Sequence, residues 1–241
     1  MIKAILSDGG NILFDDNKDR TFFVNYVFEK TGIAKEQVEE DLRKMKEQLR
    51  RYAGTTSDPT KSAYEDLLQK YQLTDFLGEF SQIYGDNSKR KRELYPNVKE
   101  TLESIDGLID FIIVTDAIKP GKTLYESLPN MGIRKGVKSV VSSVDVGCAK
   151  PAPEFFNAVL RANGLKAEET AFVGHDYDEA VGAYRYGIPH VIVFNYDEKE
   201  LKQIKEQIPA ESLHVIPNTE KRDNFSEVSE IVRKINAKSQ D

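Results

Sequence analysis

Apolar positions along the chain fall into two textures, one strand-like and one helical. The run "IKAIL" (residues 2–6) is continuous and β-prone, and it stops at "SDGG", where Asp8 meets two glycines. Residues 17–88 change to helical spacing, with stripes at Phe22, Phe23, Tyr26 and Val27, then Val38, Leu42, Met45, Leu49 and Tyr52. Tyr64, Leu67, Leu68 and Tyr71 continue the pattern, followed by Phe76, Leu77, Phe80 and Tyr84. With breaks at "GTTSDPTK" and "QLTD", the block predicts four helices and no strand. Packing between helices explains its aromatic stripes more economically than a cofactor pocket does.

From about residue 96 the texture alternates. "FIIVT" (111–115), "SVVSS" (139–143), "TAFVG" (170–174) and "HVIVF" (190–194) are near-continuous apolar runs, as in parallel strands buried on both faces. Helical patterns lie between them, Val98-Leu102-Ile105 and Phe155-Phe156-Val159-Leu160. The tail adds a strand in "LHVIPN" and a helix striped by Phe225, Val228, Ile231, Val232 and Ile235. The fold class expected is α/β, a doubly wound, Rossmann-like parallel sheet that includes strand 2–6, with an all-helical domain inserted after that strand. The boundaries expected are 1–16 and 92–241 for the core and 17–91 for the insertion. The basic stretch "SKRKREL" (88–94) reads as a solvated hinge between the two.

Composition narrows the partners. The 241 residues are 39% hydrophobic and 31% charged with a formal net charge of −6, which disfavours nucleic acid. No apolar run approaches membrane-spanning length and no charged n-region precedes a long apolar segment, so a cytoplasmic protein without a membrane partner is expected. The single cysteine, Cys148, excludes an intramolecular disulfide and a cysteine-rich zinc site, and reads as a small loop residue.

Candidate chemistry sits at the strand ends. Asp8 follows the first strand, Thr115 and Asp116 close the second, Lys150 lies in the loop beyond the third, and "HDYDE" follows the fourth. In a parallel sheet these tips share one edge, where open α/β folds bind ligands. A carboxylate, a hydroxyl, an ammonium and an acidic cluster suit attack on phosphorus or carbon with developing negative charge. Each residue alone could be a cap, a strand residue or a surface charge. Four such residues at four tips favour one site.

The order of these motifs resembles the haloacid dehalogenase superfamily of hydrolases over residues 2 to about 194. "AILSDGGNILFD" is similar to its first motif, "IIVTDA" to its second, "VGCAKPAPEFF" to its third and "FVGHDYDEAVGAYRYGI" to its fourth. The insertion is similar to the all-helical cap of one branch, and "LYPNVKETLESI" to the return from cap to core. The resemblance implies Asp8 as nucleophile, Thr115 as a donor to the transferring group and Lys150 as its counter-charge. It places Gly9, Asp116 and Ala117 around the substrate, and Mg²⁺ on Asp8, the Gly10 carbonyl, and Asp176 or Glu179. The function it implies is a Mg²⁺-dependent phosphatase of a small phosphorylated metabolite, monomeric or homodimeric, working through an aspartyl-phosphate.

The pattern departs from that family in two places. Gly10 stands where most of its phosphatases carry a second Asp that protonates the leaving group, and glycine supplies no proton. His175 stands at the usual metal-ligand position, and imidazole suits zinc or iron better than magnesium. Either the metal differs, or Asp176 or Glu179 reaches in, or the site binds weakly; a carboxylate ligand is the expectation, with His175 a hydrogen-bonded loop histidine. The alternatives are a metal-free 2-haloacid dehalogenase-like hydrolase and a catalytically silent binding protein.

Overall fold

The computed structural model describes residues 1–15, 17–52, 59–73, 93–117, 119–133 and 135–239. The predicted helix at 76–84 and most of the "SKRKREL" hinge lie outside the described residues. Strand β1 (Ala4–Ser7) is followed by helices α1 (Asn17–Thr31), α2 (Lys35–Tyr52) and α3 (Pro59–Lys70). There follow α4 (Val98–Ile105), β2 (Asp110–Thr115), α5 (Gly121–Ser127), β3 (Val137–Ser142), α6 (Ser143–Val146) and α7 (Pro153–Asn163). The chain continues through β4 (Thr170–Gly174), α8 (Tyr177–Tyr186), β5 (His190–Val193), α9 (Glu198–Gln207), β6 (Leu213–Val215) and α10 (Ser226–Lys238).

The strands form one six-stranded sheet in the order β3-β2-β1-β4-β5-β6, and every pairing is parallel. Successive side chains of a strand point to opposite faces, so a continuous apolar run requires cover on both. Ile5, Phe111, Ile113, Ala171, Val173 and Ile192 pack on one face with Val98 and Leu102 of α4 and Val228 and Val232 of α10. Leu6, Ile112, Val114, Phe172, Val191 and Val193 pack on the other with Phe155 and Phe156 of α7, Ala180 of α8 and Leu201 of α9. On that face Phe156 packs edge-on to both Phe155 and Phe172, with ring centroids 6.0 Å apart in each case. Emptying such a site with Phe156→Ala costs about 3–5 kcal/mol.

Helices α1 to α3 bury a separate apolar cluster around Phe23, Val27, Val38, Leu42, Leu67 and Leu68, the residues of the helical stripes. Asp41 pins α2 to the end of α3, accepting hydrogen bonds from Tyr71 Oη at 2.7 Å and Gln37 Nε2 at 3.2 Å and pairing with Lys70 Nζ at 2.6 Å.

Three details differ from the sequence pattern. The first strand runs from Ala4 rather than residue 2, because the Ile2 backbone is taken by the side chain of Asn236 on α10. Strand β3 ends at Ser142, not 143: Asp145 accepts from the Ser142 N–H at 2.8 Å and makes a capping box that turns the chain into α6. The apolar pattern marks no helix at α5, α8 or α9, where only Gly121 of α5, Ala180, Val181 and Ala183 of α8, and Leu201 and Ile204 of α9 are buried. No helix among the described residues is long and apolar enough to cross a membrane.

Candidate active site

The parallel order puts β1 between β2 and β4, so Asp8 emerges between the tips carrying Thr115 and His175. Its N–H extends the ladder one residue past the strand, donating to Val173 O at 2.9 Å, which holds the Asp8 backbone rigidly at the edge. The turn after it closes through Leu13 N–H to Gly9 O and Asn11 N–H to Phe14 O. Asn11, not either glycine, takes the left-handed backbone there, with φ 56°. Asn tolerates that region better than most residues do. Asn195, just beyond β5, donates from Nδ2 to Asn11 O at 2.7 Å and ties the turn to the sheet.

Asp8 is 8% exposed and Lys150 4%. Lys150 Nζ lies 2.6 Å from Asp8 Oδ1 and 3.0 Å from Glu179 Oε2. The other Asp8 oxygen, Oδ2, faces His175 Nε2 at 3.6 Å, an ion-pair distance rather than a hydrogen bond. His175 Nδ1 is 3.1 Å from Asp176 Oδ1. The order Glu179–Lys150–Asp8–His175–Asp176 thus alternates acid and base.

Burial works against charge in this cluster and the neighbours decide the outcome. Burial alone would raise the Asp8 carboxyl, but Lys150 and His175 beside it bring it down to about 2. Burial would likewise lower the Lys150 ammonium, yet Asp8, Glu179 and Asp116 hold it above its ordinary range. His175, pulled down by burial, is raised to about 10 by Asp176 and Asp8. Glu179 is pushed up to about 7 by burial, with Lys150 opposing and Asp8 and Asp176 adding to the rise. The nucleophile candidate is therefore ionised across the physiological range, as a carboxylate that must attack requires.

Residues around the cluster hold it in place. Asp116, expected at the substrate, accepts the backbone N–H of Lys150 at 3.1 Å and so anchors the lysine loop. Ala117 is held by Ser143, whose Oγ accepts the Ala117 N–H at 3.1 Å and lies 3.3 Å from the Ala117 carbonyl. Asp145 joins the start of α5 to the end of β3, accepting from Gly121 N–H at 2.9 Å as well as from Ser142. Thr115 closes β2 at the same edge, and Gly9 and Gly10 follow Asp8 in the turn. Ser143, Asp145 and Asn195 had no motif to mark them. Cys148 is free and buried, consistent with the structural role expected of it.

The expected magnesium site can be tested against these contacts. Among the described residues no group of three or more His, Cys, Asp or Glu side chains is arranged to hold a metal ion. Glu179 turns to Lys150, Asp176 to His175, and each Asp8 oxygen faces a side-chain nitrogen. Magnesium takes oxygen ligands in near-octahedral geometry, and the donor set as it stands does not fit it. His175 stands in the loop after β4, paired with Asp176 at 3.1 Å and facing the nucleophile at 3.6 Å, at the position the resemblance gives to a metal ligand.

Comparison with known proteins agrees with the motif order and the topology. The family model described as haloacid dehalogenase-like hydrolase matches residues 11–193. The chain belongs to that family. A glyceraldehyde 3-phosphate phosphatase of Methanopyrus kandleri is 28% identical over 200 residues, covering 78% of this chain and 82% of that one. A second, from Methanocaldococcus jannaschii, is 33% identical over 88 residues, and a phosphoglycolate phosphatase of Vibrio parahaemolyticus is 28% identical over 150. These two matches span 38% and 64% of the relatives' own lengths. Among solved structures, an L-2-haloacid dehalogenase from Xanthobacter autotrophicus superposes with TM-score 0.67 at 18% identity, covering 97% of this chain and 99% of that one. A HAD phosphatase from Thermococcus onnurineus superposes with TM-score 0.65 at 20% identity, covering 96% and 98%. At these identities the structures show the shared fold.

Proposed function

We propose that this member of the family hydrolyses a small phosphorylated metabolite with Asp8 as covalent nucleophile. The observation that carries the proposal is the buried Asp8–Lys150 contact of 2.6 Å, which keeps a carboxylate ionised yet charge-balanced at the sheet edge. The phosphatase names of the relatives support phosphorus over carbon as the centre attacked. An Asp8 oxygen forms a bond to phosphorus as the bond to the leaving oxygen breaks, and that oxygen takes a proton from water. Water then attacks the aspartyl-phosphate, releasing inorganic phosphate and regenerating Asp8.

In this reading Thr115 hydrogen-bonds a transferring oxygen and the ammonium of Lys150 offsets the repulsion between nucleophile and phosphoryl group. Residues 17–91 form the cap over a core of 1–16 and 92–241. Gly10 offers no proton, so good leaving groups are favoured: acyl and aryl phosphates before alkyl ones. Magnesium, which the family resemblance implies, enters none of these steps because the donor set does not fit it.

One observation favours a second reading. With no acid at residue 10 and both Asp8 oxygens facing protein cations, Asp8 is also suited to displace halide from carbon. A panel of phosphorylated metabolites with acetyl phosphate, p-nitrophenyl phosphate and 2-chloropropionate decides. Phosphate release by the wild-type chain and none by Asp8→Asn is expected. Chloride release alone would transfer the assignment to the dehalogenase reading, and release of neither ion would leave a binding protein.

A further inference from the structure

Two of the chain's three histidines, His190 and His214, meet away from the Asp8 edge of the sheet. His190 opens β5 and lies level with Ala171, near the start of β4, whereas His175 follows the end of that strand. His214 is the middle residue of β6, the strand at the sheet's edge, and pairs in parallel register with Ile192. Residues two apart on a strand share a face, so His190, Ile192 and His214 project to the same side. Ile192 packs there with Val228 and Val232 of α10, while both histidines are half-buried. His190 Nδ1 and His214 Nε2 come within 3.3 Å of each other, with ring centroids 5.4 Å apart.

We infer that His190 and His214 form a chelating site for a late first-row dication such as zinc, held by these two nitrogens with water completing its shell.

Three features support the assignment. The first is the spacing. Two nitrogens bonded to zinc at about 2.0–2.1 Å with a tetrahedral angle of roughly 109° stand about 3.3–3.4 Å apart. The observed 3.3 Å matches that bite, with the ion off the line between the nitrogens and at bonding distance from both. As a hydrogen bond alone the contact is long, since N–H donors usually lie about 2.7–3.2 Å from their acceptors. The second is the scaffold. The backbones that carry the two rings are fixed to each other by Val191 N–H to Ser212 O at 2.8 Å and Ile216 N–H to Val193 O at 3.0 Å. A site built across two paired strands keeps its spacing without an ion to impose it. The third is the ligand chemistry. Imidazole suits zinc, copper or nickel and suits magnesium poorly, and it must be neutral to bind. Burial favours the neutral form of both rings, and the amino terminus acts the same way on His190, as His190 and Lys238 do on His214.

The same cationic groups repel an incoming dication, and the described residues add no third His, Cys, Asp or Glu ligand. The site is therefore an open one, weaker than a closed four-ligand centre. An ion bound there joins the edge strand β6 to β5, and because only the folded chain brings the two rings together, it stabilises the fold.

The test is a zinc titration of the full-length chain stripped with chelator, followed by calorimetry and thermal melting, alongside His214→Gln and Asp8→Asn. Glutamine retains a hydrogen-bonding side chain, so a merely structural role survives the exchange while imidazole ligation does not. The wild type is expected to bind a zinc equivalent that Asp8→Asn keeps, that excess Mg²⁺ does not displace, and that raises the melting temperature of both proteins. In His214→Gln the affinity for that equivalent should fall by about 10²-fold or more, the gain expected from joining two binding groups. In nuclear magnetic resonance spectra of the wild type, the ring signals of His190 and His214 should move together as zinc is added.

Zinc binding of equal affinity and stoichiometry in a folded His214→Gln protein would overturn the inference and leave the pair as a hydrogen bond. So would zinc binding that Asp8→Asn alone abolishes, which would place the ion at the active site, or no binding by the wild type. If His214→Gln fails to fold, the wild-type spectra decide: movement of the His175 signals without those of His190 and His214 would overturn the assignment.

Discussion

Lys150→Ala is the perturbation with the largest expected effect. The substitution removes an ammonium that lies 2.6 Å from Asp8 and 3.0 Å from Glu179. With the ammonium between them, the two carboxylate oxygens lie no more than about 5.6 Å apart. At that separation and an effective dielectric constant of about 20, two unit charges repel by about 3 kcal/mol. A proton entering the pair goes to Glu179, whose carboxyl already stands at about 7, and Asp8 is left buried without its principal counter-charge. Removing one partner of a buried ion pair costs about 3–5 kcal/mol of stability as well.

Turnover of a good phosphate ester should fall by about 10²–10³-fold, the range for losing one preorganised charge in a dry site. The acid limb of the pH–rate profile should also move. With Lys150 present, Asp8 is held at about 2, so its ionisation should place no inflection above pH 4. Without it, the limb should move to higher pH, with His175 still opposing the rise. Lys150→Arg should recover little, because a planar fork does not reproduce a compact charge between two acids. The assay is kcat against pH for the three proteins, with folding checked by circular dichroism. Wild-type kcat in a folded Lys150→Ala protein, with its acid limb unmoved, would refute the charge-balancing role.

Two further outcomes follow from the contacts. Gly10 does not take a left-handed backbone, so Gly10→Asp carries no penalty of that kind and should raise turnover of alkyl phosphates most. A proton donor is worth about 10²–10⁴-fold, and a plot of log rate against leaving-group pKa should be flatter in the variant; equal slopes would mean that another group already donates the proton. Asp41→Ala should lower the melting temperature, since it leaves the buried Tyr71 hydroxyl without its acceptor at a cost of about 1–3 kcal/mol. Burial would raise the Asp41 carboxyl, but Lys70, Tyr71 and Gln37 hold it below its ordinary value. Its contribution is therefore full above the ordinary carboxylate range and lost as pH falls through the lowered value. Calorimetric melts of variant and wild type should differ at pH 7 and draw together as pH falls through the lowered Asp41 value, and an unchanged melt at pH 7 would remove Asp41 from the account.

Much of the architecture was legible from one dimension because its causes are local and periodic. Runs such as "FIIVT" and "TAFVG" have no polar face, and only a strand covered on both sides satisfies them, as Phe111, Ile112, Ile113 and Val114 do by pointing alternately into two cores. The stripes from Phe23 to Leu68 meet in one cluster for the same kind of reason. Asp8 and Lys150 stood out as polar residues at the ends of apolar runs. What the pattern misplaced was also local: the first turn of α6 depends on the Asp145 carboxylate reaching back to Ser142, a contact that apolar periodicity does not record.

The pairing of the site's charges belongs to the tertiary structure alone. Lys150 reaches Asp8 across 142 residues of chain, and His175 comes from another strand tip altogether. Nothing in "GHDYDE" distinguishes a histidine turned to solvent from one turned to a nucleophile. That choice is made by the strand order β2-β1-β4, which seats the first strand between two later ones and sets a side chain against each oxygen of Asp8. The sequence determines which residues sit at strand ends, because burial of each run is settled within the run. Which strand ends are neighbours is settled by the packing of the whole sheet, and so is the counter-charge that each oxygen of Asp8 meets.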